Sequence, residues 1–194
     1  MLRYFIIYKP FQVLSQFTSQ EGKLSLSNYF DGPKDVYPVG RLDYDSEGLL
    51  ILTNDAKLNH RLLHPTYRHE REYWVQVEGA ITADALTQLA NGITISIDGK
   101  QHKTLAAKAT LFAEEPPVFE RKPPIRFRKE IPVSWIWLAL MEGKNRQVRR
   151  MTAAVGFPTL RLIRHRIEKL SLEDLRPGKI LELTRHEMYN KLQI

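Results

Sequence analysis

The sequence has no cysteine among its 194 residues. Disulfides, thiolate nucleophiles and cysteine-based zinc sites are therefore excluded. Long apolar runs are also missing. Residues 1–10 hold a short apolar patch broken by Arg3 and Lys9, unlike a secretory leader. No other stretch approaches the roughly 18–20 apolar residues of a membrane span. A soluble, cytoplasmic protein with no membrane partner is the expectation. Several chemical signatures are absent too: no Walker loop, no Gly-x-Gly-x-x-Gly, no Gly-x-Ser-x-Gly and no His-Glu-x-x-His. His60 and His64 have the spacing of a helical metal pair, but no acidic third ligand sits at a fixed spacing. Pro65 ends that helix at once, so the two read as a surface pair and no metal is expected.

What is present is a globular composition, 43% hydrophobic and 26% charged. The length suits one ordinary domain or two small lobes. The net charge of +7 is unevenly spread. Residues 121–166 hold 12 Lys and Arg against 2 acids, while residues 1–120 hold 12 against 15. A basic segment of this kind is either a solvated face or the footprint of a polyanion.

Periodicity and turn chemistry predict interleaved strands with few helices. Residues 2–8 read as a strand stopped by Pro10, and residues 13–17 as a second. Residues 37–40 and 49–52 bracket a tight, charged segment. Asn54 or Asp55 caps a helix with Leu58, Leu62 and Leu63 inward. Tyr73, Val75 and Val77 alternate with polar positions on a half-buried strand ended by Gly79. Thr82 caps the next helix, and Asp98-Gly99 marks a type I′ hairpin. Residues 114–132 form a basic, proline-rich loop of the length that is usually functional or disordered. Residues 133–141 are apolar on both faces, as in a central strand. Asn145 caps a helix with a Val148, Met151, Thr152 and Val155 stripe. Residues 159–163 and 179–183 are strands, and Thr184 to Glu187 is a capping box for a last helix. The class is α+β with a mixed or antiparallel sheet.

Three segments can carry chemistry. Gly40-Arg-Leu-Asp43, followed by Ser46 to Asp55, puts a carboxylate on a short loop between apolar strands. Asp43 there either faces a cleft or pairs with Arg41 or closes an Asx turn. Tyr73, by periodicity alone, is core filler. In Glu142-Gly-Lys-Asn-Arg-Gln-Val-Arg-Arg-Met151, Arg146 and Arg150 point away from the apolar stripe and Arg149 lies at its edge. Arg149 suits a bidentate bond to a half-buried carboxylate, and the others suit phosphates. An exposed basic helix without a partner fits the same pattern.

These three segments resemble, in order, the three motifs of the small-ribosomal-subunit type of pseudouridine synthases. The catalytic motif corresponds to Gly40-Arg-Leu-Asp43-x-x-Ser-Glu-Gly-Leu-Leu-x-Leu-Thr-Asn-Asp55. The second corresponds to Glu72-Tyr73-Trp-Val-Gln-Val-Glu-Gly79. The third corresponds to residues 142–151 with Gly156-x-Pro158 and Leu160-x-x-Ile163-Arg164. The resemblance spans about residues 4–182. Many members carry an N-terminal S4 RNA-binding domain; here Arg3 to Phe17 already resemble the start of the catalytic domain. That, with Pro124-Ile-Arg-Phe-Arg-Lys129 and residues 149–164, resembles a subgroup acting on 23S rRNA.

The resemblance implies a bent, mainly antiparallel mixed sheet in two lobes with flanking helices and an active cleft between them. It implies isomerisation of a uridine in ribosomal RNA by a monomer without a cofactor. The family's catalytic aspartate corresponds to Asp43 and its stacking tyrosine to Tyr73. The cation beside the aspartate corresponds to Arg149, with Arg146 the neighbouring alternative. Burial disfavours a charged carboxylate and a nearby guanidinium favours it, which is the role implied for Arg149. The carboxylate acts on C6 of the base, on C1′ of the sugar, or in proton removal; the sequence leaves these open. The target nucleotide leaves its stack and rests on Tyr73. RNA contact is expected from Arg41, Arg121, Lys122, Arg126, Arg128, Lys129, Lys144, Asn145, Arg146, Arg150, Arg161 and Arg164. Two rivals share these features: the same chemistry on 16S rRNA or tRNA, and a non-catalytic ribosome-assembly factor.

Overall fold

The computed structural model describes residues 1–125 and 130–194. In chain order the elements are β1 (Tyr4–Lys9), β2 (Val13–Leu14), β3 (Leu24–Ser25), β4 (Tyr37–Pro38), β5 (Glu47–Thr53) and α1 (Ala56–Leu63), then β6 (Arg71–Glu78) and α2 (Ala83–Asn91). They continue with β7 (Thr94–Ile97), β8 (Lys100–Lys103), β9 (Lys108–Leu111), β10 (Val133–Leu140) and α3 (Gln147–Ala154). The chain closes with β11 (Thr159–Ile167), β12 (Leu170–Ser171), β13 (Ile180–Leu183) and α4 (Arg185–Lys191). They form two compact units, Met1–His69 with Arg164–Ile194, and Glu70–Ile163.

In the first unit β1 lies between β13 and β5, antiparallel to both. Every residue of β1 and β5 is buried, because both faces of these strands are covered. Phe5, Ile7, Leu50 and Leu52 pack with Leu26, Val36 and Leu42. The β5 strand begins with a close approach. Gly48 has φ +115, and a Cβ there would lie 2.3 Å from the Arg164 carbonyl oxygen, so only glycine fits.

In the second unit β10 runs antiparallel between β6 and β9. Facing residues of an antiparallel pair share one side of the sheet. One side carries Tyr73, Val75 and Val77 of β6 with Ile136, Leu138 and Leu140 of β10. These pack with Ala85 and Leu89 of α2 and Val148 and Met151 of α3. The other side carries Trp74 and Gln76 opposite Trp137 and Trp135.

Much of this agrees with the reading of the sequence. Asp55 caps α1, its carboxylate accepting from the Lys57 and Leu58 amides. Thr82 caps α2, and Thr184 with Glu187 forms the capping box of α4. Asp98 and Gly99 both have positive φ, as a type I′ turn requires.

Four details differ. The expected strand over residues 13–17 is only Val13–Leu14, which pairs in parallel with Leu24–Ser25 rather than joining the main sheet. Leu63 is exposed, because α1 turns only Leu58 and Leu62 to the core. The cap of α3 is Arg146, in the left-handed region and without a side-chain bond, not Asn145. The strand expected to end at residue 163 runs on to Ile167. Within the proline-rich loop, residues 126–129, including Arg126, Arg128 and Lys129, lie outside the described residues.

Candidate active site

Asp43 stands in the loop between β4 and β5 and is half-buried. The loop is tied down on both sides of it. Before Asp43, the buried Ser15 hydroxyl donates to the Leu42 carbonyl at 2.7 Å and accepts from the Leu42 amide at 3.0 Å. After it, the Gln12 amide donates to the Tyr44 carbonyl at 2.9 Å. The Ser46 amide closes a turn onto the Asp43 carbonyl at 3.0 Å. Leu42 inserts into the core of the first unit. The carboxylate is thus presented by a fixed backbone and is neither sealed in the core nor fully exposed.

Lys9, at the end of β1, was visible in the sequence only as a charge interrupting an apolar patch. Its side chain is wholly buried. The ammonium donates to the Val13 carbonyl at 2.7 Å and the Pro10 carbonyl at 2.9 Å. Burial pushes its pKa down to about 7, against the opposing pull of Glu47, Asp45 and Asp43. A cation that feels Asp43 through the protein interior therefore belongs to this site, and no spacing rule marked it. Arg41 is exposed, as a residue meeting RNA must be.

Tyr73 and Arg149 belong to the second unit. Tyr73 is 8% exposed, its ring seated in the core cluster, as periodicity alone indicates. Arg149 lies in the first turn of α3, partly buried, with Nη1 donating to the Thr159 carbonyl at 3.5 Å. The start of this helix is set by a polar latch that the sequence did not reveal. The Glu142 carboxylate accepts from the Gln147 side-chain amide at 2.8 Å, the Leu105 amide at 2.8 Å and His102 at 3.1 Å. Gln147 in turn accepts from the Lys144 amide at 2.9 Å. The latch leaves Lys144, Asn145 and Arg146 exposed.

The other basic candidates divide by burial. Lys122 is exposed and Arg121 partly so. Arg150 is bound to Asn145 and, through Nη1, to the Ser96 carbonyl. Arg161 and Arg164 are each 5% exposed. Arg161 donates to the Phe119 carbonyl at 2.8 Å, and Arg164 to the Leu49 carbonyl at 2.8 Å. His60 and His64 stack against each other and Tyr67. Among the described residues no cluster of three His, Cys, Asp or Glu side chains could hold a metal ion, and no helix is long and apolar enough to cross a membrane.

The profile of the family described as RNA pseudouridylate synthase matches residues 3–154. The chain is 46% identical over 179 residues to a ribosomal large subunit pseudouridine synthase E of Vibrio vulnificus, covering 92% of this chain and 74% of that protein. It is 48% identical over 174 residues to the protein of that description from Xanthomonas axonopodis pv. citri, covering 89% of each. A solved pseudouridylate synthase structure superposes with a TM-score of 0.80 at 27% identity, over 99% of this chain and 74% of that one. The chain belongs to the RNA pseudouridylate synthase family, and its reaction is the conversion of uridine to pseudouridine in RNA.

Proposed function

We propose that this enzyme isomerises one uridine of 23S ribosomal RNA, with Asp43 as the nucleophile. The observation that carries the catalytic part is the seat of Asp43, half-buried on a loop whose backbone is fixed on both sides. The reaction breaks the N1–C1′ bond, turns the base over and rejoins it through C5. Atoms and electrons balance within the nucleotide, so a carboxylate, a stacking surface and a proton path suffice. An ionised carboxylate serves as nucleophile. Arg149 keeps it charged, and Lys9 steadies the acidic loop from below. Tyr73 offers its ring to the flipped base, a contact worth about 1–3 kcal/mol.

The rRNA target rests on the relatives described as large-subunit synthases. Backbone grip falls to the exposed cations Arg41, Lys122, Lys144 and Arg146, with Arg126, Arg128 and Lys129 as further candidates. Buried Arg161 and Arg164 instead hold backbone carbonyls. The enzyme works in the cytoplasm, where ribosomes assemble, and as a monomer.

Pseudouridine mapping of rRNA from cells lacking the protein tests the proposal. One site in 23S rRNA is expected to disappear and to return with the wild type but not with Asp43→Asn. A missing site in 16S rRNA or tRNA, or restoration by Asp43→Asn, contradicts it.

A further inference from the structure

A cavity of about 200 Å³ lies in the second unit, between the sheet and the chain of residues 115–125. Its floor includes Gln76 of β6, Trp135 of β10 and Arg161 of β11. Gln76 and Trp135 are direct cross-strand partners, so both stand on one side of the sheet. Tyr73 stands on the other, among the core residues. The cavity therefore does not take the base that rests on Tyr73.

Two polar atoms here lack a partner among the described residues. The indole Nε1 of Trp135, a residue 6% exposed, has no acceptor, and the amide oxygen of Gln76 has no donor. Buried polar groups are almost always satisfied, and each exception calls for an explanation. A donor and an acceptor side by side match the edge of a nucleobase, where an acceptor adjoins an N–H.

The rest of the lining fits the same ligand. Phe119, 36% exposed, and the Trp135 indole supply aromatic surface. The volume suits one ring system, since a cavity of roughly 150 Å³ accommodates benzene. Arg121 and Arg161 are balanced by Glu115 and Glu120. A phosphate would meet both carboxylates, whereas a neutral base would not be repelled. Carboxylates also accept from exocyclic amino groups, which uracil lacks.

We propose that this cavity is a second base subsite, which takes an unpaired, amino-bearing nucleobase of the substrate RNA distinct from the uridine that is isomerised. Single-stranded RNA is commonly read in this manner, by splayed bases stacked on aromatic rings and bonded along their edges. The proposal rests on the function proposed above and adds a determinant of specificity to it.

An abasic scan tests it. RNA fragments spanning the mapped uridine are made with one abasic nucleotide at each position in turn. Binding is read by fluorescence anisotropy and pseudouridine formation by chemical mapping, on the same RNAs. For the wild type, one abasic position other than the target is expected to raise Kd on the order of tenfold. Uracil placed there should do nearly the same. For Trp135→Phe with Gln76→Leu, that penalty should vanish. The two readouts separate the claims. An abasic penalty without turnover supports the subsite and counts against the assigned target uridine. Turnover with no abasic penalty anywhere outside the target means that the cavity holds only water, and the subsite is wrong. A penalty of equal size in wild type and variant also overturns it. The wild-type scan alone decides the matter if the double variant does not fold.

Discussion

A lysine with no exposed surface is costly at the scale of a single residue, and Lys9 is such a residue. In the unfolded chain its amine stays protonated to about 10.5, and in the fold only to about 7. Between these values the unfolded state holds the extra proton, so this group makes the fold more stable as pH rises. Below about 7 both states are protonated and the cost of the buried charge is constant. The stability of the wild type minus that of Lys9→Met should therefore climb from pH 7 towards 10 and stay level below 7. Urea unfolding of both proteins across that range measures the difference; a difference independent of pH contradicts the burial of a titrating amine. The sequence could not show this. Its patterns report which face a residue takes, and Lys9 owes its burial to Val13 and to an acidic loop more than thirty residues away in the chain. Asp43 was equally ambiguous from spacing alone. Its identity as a catalytic candidate came from the length of the matching motif.

Among elements, what was legible in the sequence is what depends on neighbours in the chain. The caps at Asp55, Thr82 and Thr184 and the Asp98-Gly99 turn are local chemistry. The start of α3 is not. It depends on Glu142 meeting Leu105 and His102, nearly forty residues back, so Asn145 looked like the cap when Arg146 occupies that place. The short β2 has the same origin, since its partner is the equally short β3. Gly48 shows the reverse case, a residue in the family motif whose reason is purely steric. Gly48→Ala drives a Cβ into the Arg164 backbone at a φ of +115. We expect a loss of about 2–3 kcal/mol or more, the range for such backbone strain, measured by denaturant unfolding. A loss under about 0.5 kcal/mol contradicts the close approach of β5 and Arg164.

At the level of the whole molecule, one carboxylate joins the two ends of the chain. Asp55 is buried, caps α1, and accepts from Tyr4 of β1 at 2.8 Å and Tyr189 of α4 at 2.7 Å. Burial pushes its pKa up, but the bonds from Tyr189, Tyr4 and the Leu58 and Lys57 amides outweigh it and hold the group below its ordinary value. Its contribution to stability is present above the unfolded carboxylate range, near 3.9, and is lost as pH falls through the lower folded value. Asp55→Ala should cost about 3 kcal/mol at pH 7, a lost cap plus two stranded hydroxyls. The gap from wild type should narrow below pH 4. A gap that persists unchanged into acid contradicts the role of the charge. Charge at this scale was only half legible: the sequence showed a basic segment, but not that Arg161 and Arg164 within it are buried against carbonyls. The central claim remains that the carboxylate of Asp43 performs the chemistry. It is tested most directly by tritium release from C5-labelled rRNA. Asp43→Asn should release none above background while binding the RNA within about threefold of the wild type, because one carboxylate oxygen has been replaced and the fold retained. Release at the wild-type rate would remove Asp43 from the reaction.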